Sequence, residues 1–235
     1  MKYAILSDIH GNAEALKSVV AIASAEGVSV FLIAGDFMGY YYRLDKVLDI
    51  LKDFQVYAIR GNHEDMFVDW LNNPSKRVEL ERKYGQSFSR NYQILTKEQL
   101  NSLTGLPIQF EAVLSGQSVL MCHGTPWEHD EYIYPDAPID IINRIFDYNK
   151  DILIMGHSHY PVIWERDGRY IINPGSVGQP RDRKGGACWA LWDSEKKSAA
   201  LRREKYDVSA VVDDCNLFNP EIAYLKDVLT RGYNS

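Results

Sequence analysis

A chain of 235 residues that is 46% apolar can bury the core of one large α/β domain, and its net charge of −6 repels extended nucleic acid and anionic membrane surfaces. The longest apolar runs, "VFLIA" and "DILIM", are far shorter than a bilayer crossing, and Met1-Lys2 leads straight into a strand, so neither a signal peptide nor a membrane anchor is predicted. Three scattered cysteines, Cys122, Cys188 and Cys215, contain no C-x-x-C pair, which argues against a disulfide framework or a zinc knuckle and predicts a reduced, cytoplasmic protein.

In chain order, residues 2–6 read as a buried strand, followed by "SDIHGN" and a helix over 13–25 with Leu16, Val19, Val20 and Ala23 on one face. A strand at 30–34 ends in Gly35-Asp36, a helix carries Leu44, Val47, Leu48 and Leu51, and a strand at 55–59 ends in "RGNHED". This βαβαβ order predicts parallel strands with right-handed crossovers. Residues 64–104 are charged and helical and read as an inserted cap, whose last helix opens on a capping box, Thr96 to Gln99.

Strands then dominate, at 108–114, 118–122, 152–155, 162–166, 169–172, 187–193 and 199–204, with one helix near 139–148. Ser115-Gly116 and Asp167-Gly168 are hairpin turns. A terminal helix carries Ile222, Leu225, Val228 and Leu229, an apolar face for its own sheet or for a second subunit. The whole reads as a single domain, 1–235, with a two-layered sheet core flanked by helices, a cap at 64–104 and a helical tail at 206–235.

Polar clusters fall just after strands: Asp8-x-His10, Gly35-Asp36, Gly61-Asn62-His63, His123-Gly124 and Gly156-His157-Ser158-His159. Strand carboxyl ends gather at one rim in open α/β sheets, where ligand sites form. A lone Asp after a strand is commonly a helix cap, and a lone histidine is more often surface or hydrogen-bonded core than ligand. Here five of the six histidines share the rim with two aspartates and an asparagine, and only His129 stands apart. The donors are carboxylates, imidazoles and an amide, which suit Mn, Fe, Zn or Ni. They are too many for one ion: Asp8, His10, Asp36 and His159 can hold one, and Asp36, Asn62, His123 and His157 a second, with Asp36 shared.

The ordered set "DIH", "GD", "GNHE", His-Gly and "GHSH" resembles the motifs of the calcineurin-like metallophosphoesterases, and "INPGSVGQPR" is similar to small bacterial and archaeal members. The resemblance implies an α/β fold in which two mixed sheets pack as a β-sandwich flanked by helices. It also implies two divalent metal ions at the rim and hydrolysis of phosphate esters or anhydrides by attack of metal-bound hydroxide. The family's metal ligands fall on Asp8, His10, Asp36, Asn62, His123, His157 and His159, and its catalytic histidine on His63, a proton donor to the leaving oxygen. Two positions depart from relatives: "FMGYYYR" follows Asp36 where Ser/Thr phosphatases read G-D-x-x-D-R-G, and His63 stands where many small prokaryotic members carry Cys.

The metal ions would supply the local positive charge that an acidic chain otherwise lacks. The glycine-punctuated loop at 171–186 either approaches a phosphate, with Arg181 as a planar anion binder, or is a plain loop shaped by Pro174 and Pro180; Tyr40, Tyr41 and Tyr42 either stack on a base or aryl group or pack the cap. Arg60 is expected in a structural salt bridge or cap, and Glu64 and Asp65 merely as acids opening the next helix. The expected substrate is a small phosphodiester or phosphoanhydride, of the cyclic nucleotide or dinucleoside polyphosphate type. A phosphomonoesterase or protein phosphatase is the alternative, and a non-catalytic scaffold is disfavoured by the complete motif set.

Overall fold

The computed structural model describes residues 1–232; the last three residues of the predicted tail lie outside the described residues. Two five-stranded mixed sheets stack face to face. The first runs β10 (Ser198–Glu204), β9 (Ala187–Asp193), β1 (Lys2–Leu6), β2 (Val30–Ile33), β3 (Gln55–Ala58). The second runs β4 (Gln109–Leu114), β5 (Gln117–Cys122), β6 (Ile152–Ile154), β8 (Arg169–Asn173), β7 (Val162–Arg166). Strands β1, β2 and β3 are parallel, as are β5, β6 and β8, so each sheet aims three carboxyl ends at the same rim.

Side-chain alternation sorts the core into layers. Tyr3 and Ile5 of β1 meet Met121, Ile154 and Ile172 between the sheets, while Ala4 and Leu6 face the helices. Helices α1 (Ala13–Ala25) and α2 (Leu44–Leu51) cover the first sheet, and α7 (Ile139–Phe146) covers the second through Ile142, Ile145 and Phe146. Both faces of each sheet are therefore buried, which explains why central strands read as continuous apolar runs. The hairpin turns form as expected, with positive φ at Ser115 and Gly116 and at Asp167 and Gly168.

Four helices fill the interval before β4: α3 (Asn62–Asn72), α4 (Pro74–Tyr84), α5 (Ser87–Ile94) and α6 (Lys97–Thr104). Thr96 and Gln99 cap α6 reciprocally. The terminal stretch forms two helices, α8 (Val208–Phe218) and α9 (Ala223–Thr230), where the sequence predicts one; α8 packs on the core through Val208, Val211, Cys215 and Phe218. Leu225, Val228 and Leu229 bury against the chain's own core. Arg43 grips Asp214 through two 2.6 Å hydrogen bonds, and buried Asn219 accepts from Tyr42 Oη and from Gln86 N, so the tail ties the loop after β2 to the four-helix segment.

Candidate metal centre

Each strand ending at the rim delivers its polar residues on a turn that bends sharply. Asp8, His10, Asp36, His157 and His159 all have φ between 52 and 64°, a left-handed conformation that non-glycine residues rarely adopt. The turns are locked to one another: Asp8 N donates to Gly35 O at 3.1 Å, His10 N to Asp36 O at 3.0 Å, and Gly156 N to His123 O at 2.8 Å. A Cβ at Gly61 would collide with the Asp36 carboxylate, so only glycine lets the β3 turn approach this closely.

Asp8 and Asp36 each use one oxygen structurally and offer the other. Asp8 Oδ2 accepts from His157 N at 3.1 Å, whereas Oδ1 is buried without a hydrogen bond, 3.3 Å from His159 Nε2 and 3.8 Å from His10 Nε2. Asp36 Oδ1 accepts from His63 N at 2.9 Å; its Oδ2 lies 3.7 Å from His10 Nε2 and 3.3 Å from His123 Nε2. Asn62 Oδ1 is 3.0 Å from that same His123 nitrogen.

Three imidazoles donate Nδ1–H to a backbone carbonyl, His10 to Met38 O at 2.8 Å, His123 to Ala34 O at 2.6 Å and His159 to Gln179 O at 2.6 Å. A carbonyl only accepts, so in the neutral ring Nε2 carries the bare lone pair. The Nε2 atoms of His10 and His159 face each other at 3.2 Å, and that of His157 is buried and unpartnered. Lone pairs and carboxylate oxygens converging this closely repel unless a cation lies among them, and a backbone-anchored Nδ1 is how metal-binding histidines are usually oriented. The residues therefore fit divalent metal, in three overlapping groups: Asp8, His10 and His159; His10, Asp36 and His63; Asp36, His123 and His157.

Titration follows from this crowding. Burial would raise Asp8 and Asp36, but the neighbouring His159 and His123, respectively, outweigh it and hold both carboxyls below the ordinary range. Burial lowers His63 to about 4 against the pull of Asp36, and His157 to about 4 as well. Burial would also lower His123, yet Asp36 beside it pushes it up to about 10, so without metal the two form an ion pair, and a bound cation would take the place of the His123 Nε2 proton.

Of the residues singled out in sequence, the seven candidate ligands and His63 converge here. Tyr40 and Arg181 line, with Asp36, Asn62, His63, His157 and His159, a cavity of about 200 Å³, where Arg181 donates to Tyr40 Oη at 3.0 Å. Tyr41 and Tyr42 do not line it: both rings are buried in the core, and their hydroxyls donate to Leu225 O and Asn219 Oδ1. Arg60 pairs with Asp65 at 2.9 Å and donates to the Thr104 and Leu106 carbonyls, a structural clamp at the base of α3. His129 contacts the same Asp65 at 3.2 Å.

One expectation is corrected. Asp65 is half-exposed on the first turn of α3, but Glu64 is fully buried and does more than open the helix. Its Oε2 accepts from Asp36 N and Gly61 N at 3.0 and 2.7 Å, and its Oε1 from Phe37 N and Met38 N at 2.9 and 3.2 Å. One carboxylate thus welds the turn bearing Asp36 to the turn bearing Asn62. Burial and nearby Asp36 push it up to about 8, while the four N–H donors favour its anion. Gly61 to Glu64 has capping-box spacing, the sequence signal that could have found it. Lys83, Tyr84 and Tyr132 also line the cavity, from segments where no motif marks them.

A β-sandwich with carboxylate, imidazole and amide donors massed on turns at one rim defines a metal-dependent hydrolase. Residues 1–197 match the calcineurin-like phosphoesterase superfamily domain, and the chain belongs to that family. It is 28% identical over 223 residues to the uncharacterized protein MJ0912 of Methanocaldococcus jannaschii, covering 87% of this chain and 88% of that one. The phosphodiesterase YfcE of Escherichia coli is 25% identical, covering 90% of this chain and 97% of its own. The crystal structure of a metallophosphoesterase from Sphaerobacter thermophilus superposes with a TM-score of 0.80 at 25% identity, covering 99% of each chain. The protein is accordingly a metal-dependent phosphoester hydrolase. No helix among the described residues is long and apolar enough to cross a membrane.

Proposed function

We propose that the chain is a phosphodiesterase with a dinuclear centre, acting on a small phosphodiester or phosphoanhydride of the cyclic nucleotide or dinucleoside polyphosphate type. The observation that carries this reading is Asp36 Oδ2, which lies between the Nε2 atoms of His10 and His123, 3.7 and 3.3 Å away, and is so suited to two ions at once. Asp8, His10 and His159 would hold one ion with Asp36, and Asn62, His123 and His157 would hold the other with it. Bound ions, of Mn, Fe, Zn or Ni, would supply Lewis acidity at the phosphoryl oxygens and acidify a water.

The chain's own residues do the rest. His63 lines the cavity with its Nδ1 buried and without a hydrogen-bond partner, and as a neutral ring at pH 7 it would donate a hydrogen bond from Nε2 to the leaving oxygen. Tyr84 and Tyr40 pack against that ring, each with centroids 4.9 Å away, and exclude water from its face. Arg181 adds a guanidinium for a non-bridging or second phosphate oxygen. The name of YfcE supports the diester preference. Three free, buried cysteines support a reducing, cytoplasmic setting.

The test is a panel of p-nitrophenyl phosphate, bis(p-nitrophenyl) phosphate, cyclic nucleotides and dinucleoside polyphosphates, run on chelated protein reloaded with each metal. Turnover of the diester or anhydride in preference to the monoester is expected. Preference for the monoester would make the protein a phosphatase instead.

A further inference from the structure

We propose that the site continues beyond the scissile phosphate into a second, cationic pocket, and that the substrate is a dinucleotide with a second phosphate one nucleoside away from the bond cleaved. The inference rests on the phosphodiesterase reading and narrows its substrate class.

An aromatic strip leaves the metal centre. The Tyr132 ring sits 4.0 Å from that of His157, in the wall of the metal-site cavity. Tyr134 lies nearly parallel to Tyr132, at 12° with centroids 6.0 Å apart, and Tyr160 meets Tyr134 edge-on at 5.4 Å. Tyr132 and Tyr134 remain 47% and 43% exposed, although three neighbouring aromatics gain most by burial. Nucleobases stack on such surfaces without needing hydrogen-bond readout.

The strip ends in a second cavity of about 480 Å³, lined by Tyr160 together with Pro135, Pro161, Lys184, Arg202 and Arg203. Its acid is already engaged, because Asp182 is paired with Arg203. Arg202 turns its side chain to the α1 face of β10, where Glu26 lies 3.8 Å away, and Lys184 has no ion pair among the described residues. The surplus is positive on a chain whose net charge is −6. Both cavities share one loop: Arg181 lines the first, Asp182 and Lys184 the second. That continuity ties the second cavity to the metal centre.

A cyclic mononucleotide has one base and one phosphate and would leave the second cavity unfilled. A linear dinucleotide with a terminal phosphate, pNpN, places its internal phosphate at the metal centre, a base along Tyr132 and Tyr134, and its terminal phosphate by Lys184. Hydrolysis forms a bond from phosphorus to a water oxygen and breaks the bond from phosphorus to the 3′ oxygen of the ribose that carries the terminal phosphate. The departing ribose oxygen takes up a proton, giving two mononucleotides.

The test is calorimetric titration of the manganese-loaded full chain with phosphorothioate-linked pApA, the same dinucleotide without its terminal phosphate, and 3′,5′-cyclic AMP. Turnover of pApA and of bis(p-nitrophenyl) phosphate is measured alongside. The pApA analogue should bind at least ten-fold more tightly than either comparison ligand. Lys184→Met and Tyr134→Ala, both at the surface, should each lower its affinity about ten-fold and reduce the kcat/KM ratio of pApA to the aryl diester by a similar factor, through KM. Equal affinity for the three ligands, or variants that bind pApA like the parent, would overturn the proposal. Failure to hydrolyse the aryl diester would instead defeat the phosphodiesterase reading, while the titration would still judge the second pocket.

Discussion

Glu64→Gln is the sharpest test of how the centre is held. The substitution keeps the size of the side chain, but the amide replaces one carboxylate oxygen with an NH2 group. Each oxygen of Glu64 accepts two backbone N–H groups, so either amide orientation sets a donor against two donors. With Glu64 ionised, as four N–H donors require because a carboxyl O–H would itself face a donor, two hydrogen bonds to a charged acceptor, worth about 1.5–3 kcal/mol each, are lost, or about 3–6 kcal/mol before the turns relax. Relaxation must move the turn of Asp36, the turn of Asn62, or both. Partners that orient metal ligands typically change metal affinity about 10- to 100-fold when removed.

Metal affinity measured by chelator competition should therefore fall by about that factor. The urea midpoint of the metal-free protein should fall by the equivalent of several kcal/mol. Metal affinity within two-fold of the parent, in a variant that is clearly destabilised, would show that the four N–H bonds brace the fold without setting the ligand geometry.

The other predictions concern the histidines. His63→Ala should retain metal by the same competition assay while kcat falls about 10²- to 10³-fold, the usual size of a lost hydrogen-bond donor to a developing oxyanion; an emptied metal site would make His63 a ligand instead. Gly39→Ala should reproduce much of that loss, because Gly39 has φ near 92° and a Cβ there would strike the His63 ring; normal kcat at normal stability would refute this. In metal-free protein, nitrogen-15 NMR should find His63 and His157 neutral at pH 6 and titrating near 4, since burial lowers both. An unfolded histidine titrates near 6.5, so the unfolded chain binds the extra protons. Each residue's stabilisation is thus complete above about pH 6.5 and is lost as the pH falls towards 4. Midpoints near 6.5 would mean that water reaches the rings.

The strands and rim clusters were legible because period and position coincide: a run of apolar residues ends, and a Gly with an Asp, Asn or His follows within two or three residues. Such turns are local events that a sequence spells out. Sheet membership is not local. Strand β9 joins β1 antiparallel across almost the whole chain, and nothing in "ACWALWD" says which of two sheets it enters. The tyrosine run after Asp36 was ambiguous for a related reason. Gly39 and Tyr40 both take positive φ, and the resulting bend leaves Tyr40 in the cavity wall while Tyr41 and Tyr42 bury in the core.

Glu64 shows where a correct local rule stops short. An acid on the first turn of a helix is well explained by the positive end of the helix, and with Gly61 it satisfies the capping-box spacing. One of its four donors, Gly61 N, is that local cap. The other three come from residues 36–38, brought there only because β2 and β3 are adjacent and parallel and end at the same level. Adjacent parallel strands joined by a crossover set their two following turns side by side, so an acid capping one turn can also hold its neighbour. In this chain the neighbour carries Asp36, the carboxylate shared by two of the three donor groups, and the helix cap thereby fixes the position on which the metal centre turns.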